Sequence, residues 1–131
     1  MVGADVNFLL IDDDTSVLRL FEELIKEEGH HVTTAQSGQD ALPLLAQNGP
    51  PDVLMVDASM PRMSGAEFLT KVKADFPEVY ARSRIIGFTN FKKGATVIRD
   101  FEAQVHELVG KHSDIEEFTN FIRGLSTTRN S

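Results

Sequence analysis

Five short apolar segments alternate with longer segments of helical periodicity along the 131-residue chain. Each apolar segment has the length of a β-strand and is partly β-branched. The five segments are residues 6–11, 31–35, 53–56, 84–88 and 105–109. Between and after them, apolar residues recur three or four positions apart, as in amphipathic helices. This alternation predicts an α/β fold, a doubly wound five-stranded parallel sheet with right-handed crossovers and helices on both faces.

Hydroxyl residues followed three positions later by an acid mark three predicted helix starts. The pairs are Ser37 with Asp40, Ser64 with Glu67, and Ser113 with Glu116. We expect Gly29 to end the first helix. Pro43 falls inside the second helix, where it removes a backbone donor, so a kink or a late start is expected there. The polar residues 126–131 are expected to form a disordered tail, which leaves one domain over residues 1–125.

The composition excludes several classes of function. Without cysteine, the chain has no disulfide, thiolate metal site or cysteine nucleophile. A formal net charge of −7 and the lack of a basic stripe argue against direct binding to nucleic acid. The longest apolar run near the start, residues 8–11, is too short for a signal sequence or a membrane span. We therefore expect a cytoplasmic protein with no membrane insertion.

Charged or hydroxyl residues follow four of the five predicted strands. They are Asp12, Asp13 and Asp14 after the first strand, Asp57 after the third, Thr89 after the fourth and Lys111 after the fifth. The carboxyl ends of parallel strands lie at one edge of the sheet, where doubly wound folds bind their ligands, so these side chains should converge. Clustered carboxylates repel one another unless a cation neutralises them, and Mg²⁺ prefers carboxylate oxygens. The sequence therefore predicts a Mg²⁺ site at this edge.

Some of these residues also have simpler interpretations. Asp14, taken alone, can serve only as an N-terminal cap of the following helix. Asp57 is harder to explain in this way, because it directly follows residues 53–56, which read as a buried strand. His30 and His31 lie at a predicted turn without metal-ligand spacing, and we interpret both as surface residues.

In order and spacing, these residues resemble the signature of response-regulator receiver domains. The matching segments are LLIDDD at 9–14, VLMVDASMPRMSG at 53–65, IIGFT at 85–89, and Lys111. The resemblance covers residues 6–125, and the D-x-x-M-P-x-M-x-G stretch is its most specific part. It implies a flavodoxin-like fold with strand order 2-1-3-4-5 and five helices.

The resemblance also implies a chemistry. Asp57 would accept a phosphoryl group from a phosphohistidine of a sensor histidine kinase, from a phosphotransfer protein or from a small phosphodonor. Thr89 and Lys111 would contact the phosphoryl oxygens. Such a domain is not an enzyme acting on other molecules, although it can hydrolyse its own acyl phosphate slowly. Phosphoryl transfer depends mainly on positioning and on neutralising charge at the phosphoryl oxygens, which these residue types can provide.

The cofactor implied by the resemblance is Mg²⁺. Asp13 and Asp57 would bind the ion directly, and Asp12 mainly through water. The backbone carbonyl of Ser59 would supply a further oxygen ligand. These roles agree with the preference of Mg²⁺ for a few carboxylates together with retained waters and phosphate.

In this family the fourth helix, the fifth strand and the fifth helix form the usual output face, which implies a second copy or a downstream effector as partner. Residues expected on that face are Phe91, Lys92, Lys93, Arg99 and Phe101. The chain departs from the family pattern at Leu108, where an aromatic residue is usual, and at Asn90, where a small residue is usual. His112 stands where proline often forms a cis bond, and a trans bond to Lys111 is predicted because a cis bond to a non-proline residue costs about 2.5–4 kcal/mol.

Two alternatives stay open. The departures at Leu108, Asn90 and His112 suggest a degenerate receiver that acts as a phosphorylation-independent docking module. The run of acids from Asp12 also resembles the D-x-D opening of haloacid-dehalogenase-type phosphatases, in which Asp12 would be the nucleophile. That second alternative requires a further acidic pair at a strand end, whereas the downstream acids fall in a predicted helix start.

Overall fold

The computed structural model describes residues 6–90, 98–110 and 115–130. In this part of the chain there are five strands and six helices. They are β1 Asn7–Ile11, α1 Thr15–Glu27, β2 His31–Ala35, α2 Gly38–Asn48, β3 Val53–Asp57, α3 Gly65–Asp75, α4 Pro77–Arg82, β4 Arg84–Thr89, α5 Arg99–Glu102, β5 Glu107–Gly110 and α6 Ile115–Asn130. All neighbouring strands pair in parallel, in the order β2-β1-β3-β4-β5. This arrangement confirms the predicted doubly wound sheet and its strand order.

Helix α4 is additional to the five helices predicted. It follows α3 directly, and Phe76 between them has φ −135° and ψ 64°, which departs from helical geometry. Pro77 cannot donate to the preceding helical turn, but its fixed φ suits the first position of a new helix. In the sequence, apolar residues recur at helical spacing from Phe68 through Val72 to Phe76, so the periodicity does not separate the two helices.

The helix ends follow the local sequence closely. At the end of α1, Gly29 has φ 88°, its N–H donates to the Lys26 carbonyl at 3.0 Å, and the His30 N–H donates to the Ile25 carbonyl at 3.3 Å. This pair of hydrogen bonds is a Schellman motif. The prediction that Gly29 ends the first helix is therefore confirmed.

Two of the three predicted helix starts lie among the described residues. Ser64 and Glu67 form a full capping box at α3, with hydrogen bonds of 3.1 and 2.9 Å between each backbone N–H and the opposite side chain. At α2, the Ser37 hydroxyl accepts the Asp40 N–H at 3.0 Å. Helix α2 begins at Gly38 and continues past Pro43, so the late start was a wrong expectation. Ser113 lies outside the described residues.

The core has two layers, one on each face of the sheet. Helices α2, α3, α4 and α5 cover one face and α1 and α6 cover the other. Every residue of β3 is buried. Strands buried on both faces are apolar throughout rather than alternating, which is why β3 reads as a continuous apolar run. The central strand therefore delivers Asp57 from the interior of the domain to its edge.

His30 is buried with 4% of its surface exposed, which corrects the prediction that it lies on the surface. Its Nδ1 accepts the backbone N–H of Val6 at 3.3 Å. His106 has a similar role, because its Nδ1 accepts the Ile85 N–H at 2.8 Å. The backbone N–H of His106 donates to the Ile85 carbonyl at 2.7 Å. His30 is buried, whereas His106 is exposed, and both rings supply an acceptor to a backbone donor of the sheet. His31 is exposed, as predicted.

Of the residues expected on the output face, Arg99 and Phe101 are described. Arg99 is exposed, whereas Phe101 is a core residue with only 2% of its surface exposed. The earlier placement of Phe101 is therefore wrong. The physical reason is the space left by Gly65 and Gly87, which the ring fills. Residues 91–93 lie outside the described residues.

Helix α6 is assigned to Asn130. The domain boundary at residue 125 and the disordered tail over residues 126–131 stay predictions. Among the described residues, no helix combines the length and the hydrophobicity needed to cross a membrane.

Candidate functional site

Three of the predicted site residues meet at the carboxyl edge of the sheet. Asp12 follows β1 and Asp57 ends β3, and these strands are neighbours, with Ile11 paired to Val56. Asp12 and Asp57 are 0% and 2% exposed, and Thr89 at the end of β4 is 2% exposed. The predicted convergence of these strand ends is therefore confirmed for Asp12, Asp57 and Thr89.

Asp13 completes an acidic cluster with Asp12 and Asp57. One carboxylate oxygen of each residue lies within 4.8 Å of the others, and Asp13 is exposed where the other two are buried. Like charges held this close out of water are unfavourable unless a cation neutralises them. An all-oxygen donor set with one ligand open to solvent fits a hard, partly hydrated cation such as Mg²⁺. The residues present thus suit a divalent metal ion.

Backbone hydrogen bonds hold the two buried carboxylates in place. Asp12 Oδ1 accepts the Asp14 N–H at 2.9 Å, and Asp57 Oδ1 accepts the Ser59 N–H at 3.4 Å. The chain just after each strand therefore orients the carboxylate that the strand delivers.

Asp14 has a different role from its two neighbours. Its Oδ1 accepts the N–H groups of Ser16 at 2.9 Å and Val17 at 3.4 Å, which makes it the N-cap of α1. The simpler interpretation of Asp14 is thus confirmed. Within the Asp12–Asp14 run, the first two residues face the cluster and the third begins the helix.

An open cleft of about 340 Å³ lies over the cluster. Its lining is mostly polar and comprises Asp13, Asp14, Asp57, Ala58, Ser59, Thr89 and Asn90. Such a cleft suits a small charged group better than an extended apolar ligand. Lys111, His112 and the bond between them lie outside the described residues. The role of Lys111 and the predicted trans bond therefore stay predictions.

The loop after Asp57 contains a strained turn that the sequence analysis did not identify. Arg62 has φ 69°, and the Met63 N–H donates to the Pro61 carbonyl at 2.7 Å. A hydrogen bond between residues two apart around a positive φ defines a γ-turn of the rare, strained kind. Strain of this type often accompanies functional loops. The sequence gives no signal of this turn, because the residue after Pro61 is not glycine.

Gly65 closes the same loop. Its N–H donates to the Ala58 carbonyl at 3.0 Å. A Cβ at this position would lie 2.3 Å from the carbonyl oxygen of Asp57, closer than real contacts allow. The glycine that ends the D-x-x-M-P-x-M-x-G stretch is therefore required by the approach of α3 to the backbone of Asp57.

Residues 8–123 match the family model of the response regulator receiver domain. The chain belongs to this family. The receiver domain is 32% identical over 107 residues to a chemotaxis protein CheY homolog of Campylobacter jejuni, and the match covers 81% of each chain. It is 30% identical over 81 residues to the response regulator SaeR of Staphylococcus epidermidis, a match that covers 60% of this chain and 34% of SaeR. The aligned region thus spans about a third of that regulator's length.

Among solved structures, the receiver domain is similar to response regulator protein TrrA from Thermotoga maritima in complex with Mg²⁺-BeF. The TM-score is 0.73 at 24% identity, with 91% of this chain and 97% of that chain covered. At this identity the likeness shows the fold alone. Membership of the family establishes a signalling module of two-component response regulators rather than a classical enzyme. It also decides against the haloacid-dehalogenase-type alternative.

Proposed function

We propose that Asp57 accepts a phosphoryl group from a sensor histidine kinase or a phosphotransfer protein, with Mg²⁺ bound at the acidic cluster. One observation carries this proposal. A buried carboxylate ends the central strand, beneath an open cleft and within 4.8 Å of the carboxylate oxygens of Asp12 and Asp13. Burial alone gives no reason for three acids in one place. Receiver domains as a family interact with such kinases, which agrees with this role.

In the proposed reaction, a carboxylate oxygen of Asp57 attacks the phosphorus of a phosphohistidine. The new O–P bond forms as the N–P bond breaks, and the electron pair of that bond returns to the imidazole of the donor. When bound, the metal ion neutralises charge on the phosphoryl oxygens. Asp12, Asp13 and Asp57 would hold it, with the carbonyl oxygen of Ser59 as a further ligand.

Thr89 and Lys111 would act on the product. The Thr89 hydroxyl at the end of β4 can donate to a phosphoryl oxygen, and the Lys111 ammonium can pair with another. Movement of Thr89 toward the acyl phosphate would shift the end of β4. Such a shift is the kind of two-state change by which a phosphate contact alters a distant surface.

The test is intact-protein mass spectrometry after incubation with acetyl phosphate and Mg²⁺. We expect one added phosphoryl mass that requires the metal ion and is absent in Asp57→Asn. Asp14→Asn is the matched control, because it removes the same charge at the same edge of the sheet while keeping an N-cap of similar strength. That variant should still be phosphorylated. Fragmentation should place the modification on Asp57 rather than Asp12.

The docking-module alternative predicts a different result. A folded protein that gains no phosphoryl mass from acetyl phosphate or from its cognate kinase would contradict phosphoryl transfer and favour docking.

The output side, formed by β5 with α5 and α6, is proposed to contact a second copy or a downstream effector. The cytoplasmic location and the absence of nucleic-acid binding stay predictions from the sequence.

A further inference from the structure

Phe101 fills space that two glycines leave open on one face of the sheet. A Cβ at Gly87 in β4 would lie 2.5 and 2.8 Å from Cε2 and Cζ of the Phe101 ring. A Cβ at Gly65 would lie 2.6 Å from Cε1 of the same ring. Glycine inside a strand is unfavourable unless a neighbour needs the room. One aromatic ring from α5 therefore contacts both the start of α3 and the middle of β4.

Both contacts are close to the phosphoryl-acceptor site. Gly65 lies against the carbonyl oxygen of Asp57, where its Cβ would be only 2.3 Å away. Gly87 is two residues before Thr89, and residues two apart in a strand face the same side of the sheet. Leu108 of β5 lies beside them, since its Cδ1 would be 3.0 Å from a Cβ at Gly87. The ring thus lies between the acceptor loop, the strand that carries Thr89, and β5.

The segment that carries the ring is tied to the helices behind it. The side-chain N–H of Gln104, just after α5, donates to the Ala66 carbonyl at 3.4 Å, and the Tyr80 hydroxyl donates to the Gln104 carbonyl at 3.3 Å. The Thr70 hydroxyl lies 3.4 Å from Gln104 Oε1. These contacts link the end of α5 to α3 and α4. Because packed interiors have few voids, displacement of a neighbour is transmitted through the ring rather than absorbed.

We infer that Phe101 is a positioning residue that couples the Asp57 site to α5 and β5. When Thr89 moves toward a phosphoryl group on Asp57, β4 carries Gly87 with it, and the ring and α5 have to follow. The inference rests on the proposed function, because it requires a phosphoryl group or its mimic at Asp57. Phe101 lies outside the cleft, and its role would be to transmit the signal from the site to α5 and β5.

The experiment measures hydrogen exchange of peptides covering residues 98–110, with and without Mg²⁺ and beryllium fluoride as a phosphoryl mimic. The full chain is compared as wild type, Phe101→Leu and Phe8→Leu. Phe8 is the matched control, since it is also 2% exposed but packs in the other core layer, near the amino end of β1. Both substitutions remove similar buried volume, so a merely structural effect should be the same in both.

We expect exchange in these peptides to change on addition of the mimic by roughly fivefold or more in wild type and Phe8→Leu, the lower range of allosteric coupling. Phe101→Leu should still bind the mimic, seen as a rise in melting temperature, yet show little change in exchange. A response equal to wild type in Phe101→Leu would overturn the inference. The inference would also be overturned if the wild type bound the mimic without a change in exchange in these peptides.

The remaining outcomes are also decisive. A folded Phe101→Leu domain that no longer binds the mimic would show that the ring is needed for the site itself, which overturns the coupling role. Phe101→Met keeps most of the volume with a flexible side chain and replaces the leucine variant if that one does not fold. A wild type that neither binds the mimic nor gains phosphoryl mass would refute the proposed function, and the inference with it.

Discussion

Gly87→Ala is expected to destabilise the receiver domain when Phe101 is present and to stabilise it when Phe101 is replaced by alanine. Gly87 lies in β4 and is not among the described glycines with positive φ, which are Gly29 and Gly49. Alanine can therefore adopt its backbone conformation. The outcome depends on what the added methyl group contacts.

Two effects of opposite sign set the magnitude. Where space allows, replacing glycine by alanine stabilises a protein by about 0.4–1 kcal/mol, chiefly by restricting the unfolded chain. At position 87 the new Cβ would lie 2.5 Å from a ring carbon of buried Phe101. Overpacking of this kind costs about 1–3 kcal/mol, so the crowding dominates. Without the ring, the methyl group is close only to the end of the Leu108 side chain, at 3.0 Å, which can move into the space left by the ring. The restriction of the unfolded chain then decides the sign.

The assay is urea denaturation of four proteins, namely wild type, Gly87→Ala, Phe101→Ala and the double variant. Phe101→Ala alone should lower the free energy of unfolding by about 3–5 kcal/mol. The interaction energy between the two sites should equal the crowding cost, about 1–3 kcal/mol, because the effect on the unfolded chain is the same with and without the ring. If the phenylalanine-to-alanine change leaves too little stability to measure, Phe101→Leu closes the same cycle with a smaller loss. If the two single-substitution effects sum to that of the double variant within about 0.5 kcal/mol, the reasoning is refuted. The ring and the methyl group would then not compete for the same space.

Two further predictions concern the acceptor loop and the tyrosine. Arg62→Gly should raise the free energy of unfolding by about 0.5–1 kcal/mol in urea denaturation. Glycine relieves the strain of the left-handed backbone at this position, and this gain exceeds the cost of the entropy that glycine adds to the unfolded chain. A loss of stability would show that the turn is not strained. Burial raises the pKa of Tyr80 above its usual value. The chain has one tyrosine and no tryptophan, so absorbance at 295 nm measures the ionisation of this group alone. The unfolded tyrosine then ionises at lower pH than the folded one, so stability should be unaffected below about pH 10 and should fall above it, a fall that Tyr80→Phe removes.

The sheet and the acidic cluster could be predicted because they depend on local pattern and on one topological rule. Strand-length apolar runs give the strands, and the carboxyl ends of parallel strands must lie at one edge. That rule alone predicts that Asp12 and Asp57 lie close together, and it places Asp13, the neighbour of Asp12, in the same cluster. The capping box at Ser64 was equally local. These features need no knowledge of which helix packs on which strand.

The errors arose where a residue's environment is set by distant parts of the chain. Phe101 lies on a four-residue helix too short to show a periodicity, and its burial depends on the missing side chains at Gly65 and Gly87. A glycine within an otherwise apolar strand was the available signal. His30 is buried because the Val6 N–H, 24 residues earlier, needs an acceptor. No local pattern encodes such a pairing.

Two histidines at the amino ends of strands supply hydrogen-bond acceptors to the backbone far from Asp57. An imidazole can accept through Nδ1 only in the tautomer that keeps its proton on Nε2. His30 and His106 each hold a backbone N–H in this way, at 3.3 and 2.8 Å. Each ring therefore supplies the acceptor for a backbone N–H of another segment, and loss of the ring would leave that donor without its partner. Replacing either histidine should therefore loosen the sheet at its amino ends, where β1 meets β2 and β4 meets β5, and leave the carboxylates at the opposite edge in place.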